Sequence, residues 1–390
     1  WETEGHPVLF AESKKIPNKP TLLIYNHYDV QPVDPLELWE SPPFQATLKD
    51  GVVYARGAQD NKGQLFYTFL ALKELKEFPI NIKWIIEGEE EMGSEGLETL
   101  LPKYKEKLKS DYTAIVDCGI PDADTPAVSL GMRGIMTMEL ELTGTDVDLH
   151  SGTHGGIAYN PLRALTEILG NVRDKNGKIT IPGFYDSIIP LTDEEKKDIS
   201  FEFDEKKYEK DFGVKATGGE KNLKPLERNW LRPTFEINGL WGGYQGEGFK
   251  TVIPSKAHAK ISCRLVKGQD PAKMSTLLKD YFEKVVPPGI SIKIKTPHGG
   301  GPAILSSPHS KIVQAFAKSF STVFNKPCRY ILEGASIPIV SALEKASDSE
   351  AVLVGVGLVT DKIHAPNEHF SVDRLYKGKE VIKQAIKNLV

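Results

Sequence analysis

The sequence predicts an α/β protein: a doubly wound, mostly parallel sheet built from both chain ends, with an α+β module inserted between them. Short apolar runs at 21–25 (TLLIY), 82–86 (IKWII) and 112–116 (YTAIV) alternate with an amphipathic stretch at 64–75 (QLFYTFLALKEL). Strands alternating with helices make parallel units. The pattern returns late, with a helix at 311–324, an apolar strand at 351–356 (AVLVGV) and a closing helix at 374–389. Between the two ends the hydrophobic period changes.

Residues 135–143 (IMTMELELT) alternate, with Met136, Met138, Leu140 and Leu142 on one face, as a half-buried strand requires. Asn160-Pro161 opens a helix: a capping side chain, then proline at the first helical position. Strands follow at 234–238 and 257–265 (AHAKISCRL). A second helix opens at Asp270-Pro271 and runs to about residue 286, and a last strand covers 291–295 (SIKIK). The order β-α-β-β-α-β is the ferredoxin-like one, an antiparallel sheet covered by two helices. The expected division is a discontinuous domain from 1–133 plus 299–390, with an inserted lid module at 134–298. The charged stretch 193–211 (DEEKKD, DEKKYEKD) reads as solvated helices.

Composition narrows the function. Lys+Arg 49 against Asp+Glu 53 gives a net charge of −4, which argues against a nucleic-acid or membrane-surface protein. No apolar run approaches the ~18–20 residues of a membrane span. No basic and apolar leader opens the chain, so the expected location is cytoplasmic. Cys118, Cys263 and Cys328 are far apart and odd in number, which excludes a disulfide framework and a CxxC zinc site. Any metal must then be held by histidines and carboxylates.

Those residue types collect after the strands. Asn26-His27-Tyr28-Asp29 follows the first strand, Glu87-Gly88-Glu89-Glu90-Glu91 the second and Asp117 the third; the strand at 351–356 leads to Asp361 and His364. Ligands of open α/β sheets bind outside the carboxyl ends of the strands. Asp60 lies in a loop before a helix, where its carboxylate can join the same cleft. Two histidines with several carboxylates form an oxygen-rich set that suits zinc and admits manganese or cobalt. One carboxylate can bridge two cations. The His27-x-Asp29 spacing lets Asp29 accept an imidazole N–H and fix the tautomer. Each residue alone also has a plainer reading: a hydrogen-bonded histidine, a solvated acidic helix start, a turn cap.

The motifs NHYDVQP, YARGAQDNKGQ, EGEEEMGSEG, VDCG and KIHAPNEH resemble, in order and spacing, the aminoacylase/carboxypeptidase/carnosinase superfamily of di-metal peptidases. DLHSGTHGG, KTVIPSKAHAKISCRLV and EGASIP resemble its non-specific dipeptidase (carnosinase) branch, whose members carry a longer segment before the first metal histidine. The resemblance implies two divalent cations, zinc first and manganese as the alternative, held by His27, Asp60, Glu91, Asp117 and His364, with Asp60 bridging. It implies Glu90 as general base, the register of the glutamate triplet being set by the MGSEG that follows, and a cis peptide at Asp60-Asn61. In the inserted module it implies a homodimer in which His150 crosses the interface to hold the partner's oxyanion. Arg264 is implied to bind the substrate carboxylate through its bidentate fork, with Thr251, Asn160, His298 and Ser336 as further contacts. The reaction implied is hydrolysis of dipeptides or short peptides. The alternatives are N-acyl-amino-acid deacylation, desuccinylation or a carboxypeptidase activity. A scaffold that had lost catalysis would show gaps in the ligand set, and none is present.

Overall fold

The computed structural model describes residues 1–297 and 300–390. Leu22 and Ile24 pack on one face of the Thr21–His27 strand, Leu23 and Tyr25 on the other, all at most 1% exposed. A strand buried on both faces must be covered by helices on both sides. Lys62–Glu74, Lys311–Phe324 and Val372–Asn388 cover one face, where Tyr67, Phe316, Phe320 and Ile382 pack. Glu95–Leu108 and Ile339–Ser347 cover the other, with Leu97, Leu101, Val340 and Leu343.

Across this eight-stranded sheet the order is Leu9–Glu12, Asn81–Glu87, Thr21–His27, Tyr112–Val116, Glu350–Val354, Ala127–Met132 and Ile304–Leu305; Arg329–Glu333 pairs with Ala127–Met132. The central pairings are parallel. Leu9–Glu12, Ile304–Leu305 and the contact of Glu350–Val354 with Ala127–Met132 are antiparallel. Register then decides what shares an edge. His27 is the Cα partner of Glu87, and Tyr25 that of Ile115, so Asp117 comes level with His27.

A separate four-stranded antiparallel sheet has the order Thr234–Gly242, Lys256–Leu265, Gly134–Thr143, Ser291–Lys295. Met136, Met138, Leu140 and Leu142 meet Ala257, Ala259, Ile261 and Cys263 in its core, under helices Pro161–Gly170 and Pro271–Val285. Both helices are capped as the sequence suggests. Asn160 Oδ1 accepts the Leu162 N–H at 2.9 Å, and Asp270 Oδ1 the Lys273 N–H at 2.9 Å. The opposite face carries Glu139, Glu141, His258, Lys260 and Arg264. The charged stretch forms the exposed helices Asp193–Lys197 and Glu205–Phe212. No helix among the described residues is long and apolar enough to cross a membrane.

Glu333 ends the strand beside Ala127–Met132 and accepts the Ser129 hydroxyl at 2.8 Å. Burial pushes its carboxyl from 4.5 up to about 7, against the Ser129 and Gly119 bonds. Between those two values the folded chain holds a proton that the unfolded chain releases. Its contribution is therefore complete below about pH 4.5 and is lost as pH rises through about 7. Glu333→Gln should remove this slope. Urea unfolding of variant and wild type at several pH values should diverge in the variant's favour between pH 5 and 7.5, by as much as about 3 kcal/mol. Parallel curves would show that Glu333 does not titrate in that window.

Candidate metal centre

The site forms where the parallel strands end. His27, fully buried, closes the Thr21–His27 strand. Its Nδ1 lies 3.2 Å from Asp29 Oδ1, and its Nε2 lies 3.1 Å from Asp60 Oδ1 and 3.7 Å from Asp117 Oδ2. The other Asp60 oxygen, Oδ2, lies 3.0 Å from His364 Nε2, which is 3.3 Å from Glu91 Oε2. Two groups of donor atoms result, His27–Asp60–Asp117 and Asp60–Glu91–His364, each lying within 4.8 Å of one another. Asp60 belongs to both.

Neutral groups aim the acids. Asn61 Nδ2 donates to Val116 O at 2.9 Å and to Asp117 Oδ1, and Asn26 Nδ2 donates to Asn61 Oδ1 at 2.7 Å. Asp29 accepts the Glu91 N–H at 2.9 Å, and Gln31 donates to Glu91 Oε2 at 2.7 Å. The Asp60–Asn61 peptide is cis.

The glutamate triplet divides by geometry. Glu89 is buried and turned away, accepting the His6 N–H and the Gly96 N–H at 2.8 Å each. Glu91 faces His364. The Glu90 carboxylate makes no hydrogen bond among the described residues and looks toward Asp117, His27, Glu91 and Asp60.

The electrostatics are those of acids crowded out of water. Burial, then Asp117, raises Glu90 well above the usual carboxylate range. Burial, then Asp60, also raises Asp117, against His27. Burial pulls the His27 imidazole down, but Asp117, Asp29 and Asp60 outweigh it and hold it well up. The bonds from Asp60 and Glu91 lift His364 to about 10. Asp60 is lowered: burial opposes ionisation, and the bonds from both histidines overcome it. Five carboxylates thus converge on two imidazoles, and Glu91 Oε1 is buried without a hydrogen-bond partner among the described residues. This donor set, short of positive charge and with an unsatisfied buried oxygen, fits divalent cations.

Residues 23–388 match Peptidase family M20/M25/M40. The chain belongs to this family. It is therefore a metallopeptidase. Its sequence is 32% identical over 387 residues to the Cys-Gly metallodipeptidase dug1 of Schizosaccharomyces pombe, covering 95% of this chain and 80% of that one. It is 33% identical over 387 residues to the Beta-Ala-His dipeptidase of Rattus norvegicus, covering 96% and 78%. The crystal structure of the M20 family metallo-carboxypeptidase Sso-CP2 of Sulfolobus solfataricus superposes with a TM-score of 0.91 at 36% identity, covering 100% of this chain and 89% of that one.

The remaining expected residues lie elsewhere. His150 ends one strand of a two-stranded ribbon, Leu149–His150 with Val252–Ile253, Thr251 lies just before the other, and neither belongs to a donor group among the described residues. Asn160 spends its carbonyl on the helix cap, and Ser336 Oγ donates to Arg133 O at 2.5 Å. Arg264 has no carboxylate partner among the described residues. His298 falls outside the described residues. Sequence reasoning missed Asn26, Asn61 and Glu368. All three sit inside the quoted motifs, but nothing in their spacing says that their side chains point inward.

Glu89→Ala should leave two amides without an acceptor. It should lower the unfolding free energy by about 2–3 kcal/mol, measured by urea titration. An unchanged midpoint would mean that Glu89 does not hold this turn.

Proposed function

We propose that the chain is a dipeptidase that uses two divalent cations, held by His27, Asp60, Glu91, Asp117 and His364. The observation that carries this reading is Asp60, whose two oxygens face two different histidine–carboxylate groups. Zinc suits the donor set, and manganese is the alternative. When bound, the pair supplies Lewis-acid polarisation and lowers the pKa of water. The Glu90 carboxylate, without a hydrogen bond among the described residues, takes the water proton and returns it to the leaving amine. Asp29 orients His27 through Nδ1. Arg264, on the polar face of the four-stranded sheet, receives the substrate's terminal carboxylate in its planar fork. Thr251, Asn160, Ser336 and His298 complete the substrate contacts.

The inserted module, residues 134–298, serves as lid and dimer interface. Thr234–Gly242 is an edge strand, and Ile237, Leu240, Trp241, Tyr244 and Phe249 are exposed on and after it. An apolar edge of this kind calls for a cover, and a second copy of the chain supplies it. His150 fits the role of oxyanion donor to the partner's site. Its Nδ1 accepts the Gly152 and Thr153 N–H groups at 3.0 and 3.3 Å, so the neutral ring keeps its proton on Nε2. Three unpaired cysteines suit a reducing, cytoplasmic setting.

A second reading, carboxypeptidase action on longer peptides, is favoured by the likeness to Sso-CP2. A panel of dipeptides, longer peptides and N-acetyl amino acids, assayed with zinc and with manganese, separates these. Dipeptides should be cleaved fastest; faster release from longer peptides would favour the second reading, and preference for the acylated set would overturn both. Glu90→Gln should keep its cations and lose 10²–10⁴-fold in kcat; near-wild-type turnover would remove Glu90 as the base. Mixing inactive Glu90→Gln and His150→Ala chains should restore part of the activity through hybrid dimers. No recovery would deny the crossing of His150.

A further inference from the structure

Glu368 takes no part in the chemistry above, yet its carboxylate is fully buried and every bond it makes reaches one loop. Oε2 accepts from Arg56 Nη1 and from the Gly57 N–H, each at 2.8 Å. Oε1 accepts the N–H groups of Gln59 and Asp60, each at 3.0 Å. The Glu368 carbonyl accepts the Ala55 N–H at 3.1 Å. A residue just past His364 thus grips the backbone that carries Asp60, across a separation of 308 residues.

The grip is fastened at both ends. Arg56 is 4% exposed; its Nη2 donates to Pro32 O at 3.1 Å, and its guanidinium stands over Trp39. Neighbouring Asn367 accepts the Glu40 N–H at 2.8 Å and donates to Leu38 O at 2.9 Å. On the other side of His364, Asp361 is paired with Arg374 at 2.5–2.6 Å. Between these anchors Lys362, His364 and Asn367 all adopt left-handed φ, of 58°, 59° and 65°. Non-glycine residues hold that conformation where surrounding structure imposes it. A buried carboxylate with four donors is itself stable only while all four remain in place.

We propose that Glu368, braced by Arg56, is a positioning residue that fixes Asp60 relative to His364 and so sets the cation affinity of the Asp60–Glu91–His364 group. This rests on the two-cation reading, and the test separates the two. Metal-free wild type and Glu368→Gln are titrated with Zn²⁺ alone, and with Mn²⁺ alone, against a competing chelator. The amide of the variant turns an N–H₂ toward donors, so geometry is lost while volume is kept. Wild type should bind two cations. In Glu368→Gln one of them should bind 10–100-fold more weakly, as outer partners of metal ligands commonly require, with the other within about threefold. Hydrogen exchange of the metal-free variant should quicken in peptides covering 55–61 and 359–369.

If wild type binds fewer than two cations, the two-cation reading fails. If both cations bind Glu368→Gln as tightly as wild type, or both weaken equally, the positioning role fails even where thermal stability falls. Should Glu368→Gln not fold, Arg56→Lys, which keeps the charge and loses the fork, should show the same selective weakening at smaller size; unchanged affinity there would also overturn the proposal.

Discussion

The mutual repulsion of buried carboxylates is the constraint on which this molecule is organised. Asp29, Asp60, Glu90, Glu91 and Asp117 face one another with two imidazoles between them. At contact range in a medium that screens poorly, like charges cost several kcal/mol unless cations or hydrogen bonds offset them. The structure offsets part of the cost with neutral donors: Asn61 on Asp117, the Glu91 amide on Asp29, Gln31 on Glu91. The rest shows as raised proton affinity in Glu90 and Asp117, and it gives the site its demand for metal.

Rigid neighbours hold such a cluster together. The parallel register of the central strands aligns His27 with Asp117. The loops carrying Asp60 and His364 have no such scaffold of their own, and Glu368 joins them. The four-stranded sheet contributes differently. Its core is closed by Phe235, Phe282 and Leu278, while Arg264 on its polar face has no carboxylate partner among the described residues. A half-buried guanidinium of this kind contributes little stability, and on the proposed reading it is free to take a carboxylate brought by a ligand.

Much of this was legible in the chain. Apolar runs gave the central strands nearly to the residue, because a strand buried on both faces has little freedom of composition. Alternation gave the second sheet for the opposite reason, since one face meets a core and the other does not. Asn160-Pro161 and Asp270-Pro271 marked helix starts because capping chemistry is local. The strand Ala127–Met132 and its direction were not legible: its partners, antiparallel Glu350–Val354 and Ile304–Leu305 and parallel Arg329–Glu333, are all distant in sequence.

The sequence by itself determined the fold class, the family and the residue types that gather after the strands, since periodicity, capping and motif spacing are properties of neighbouring residues. The MGSEG after the glutamate triplet set its register by resemblance; tertiary structure alone showed what each side chain touches, with Glu89 on the His6 and Gly96 amides and Glu91 on His364, because three adjacent identical side chains differ only in what surrounds them. It also decided that Asp60 faces two histidines at once and that Glu368 binds its loop. Those contacts join residues some 30 to more than 300 positions apart, where no local pattern reaches.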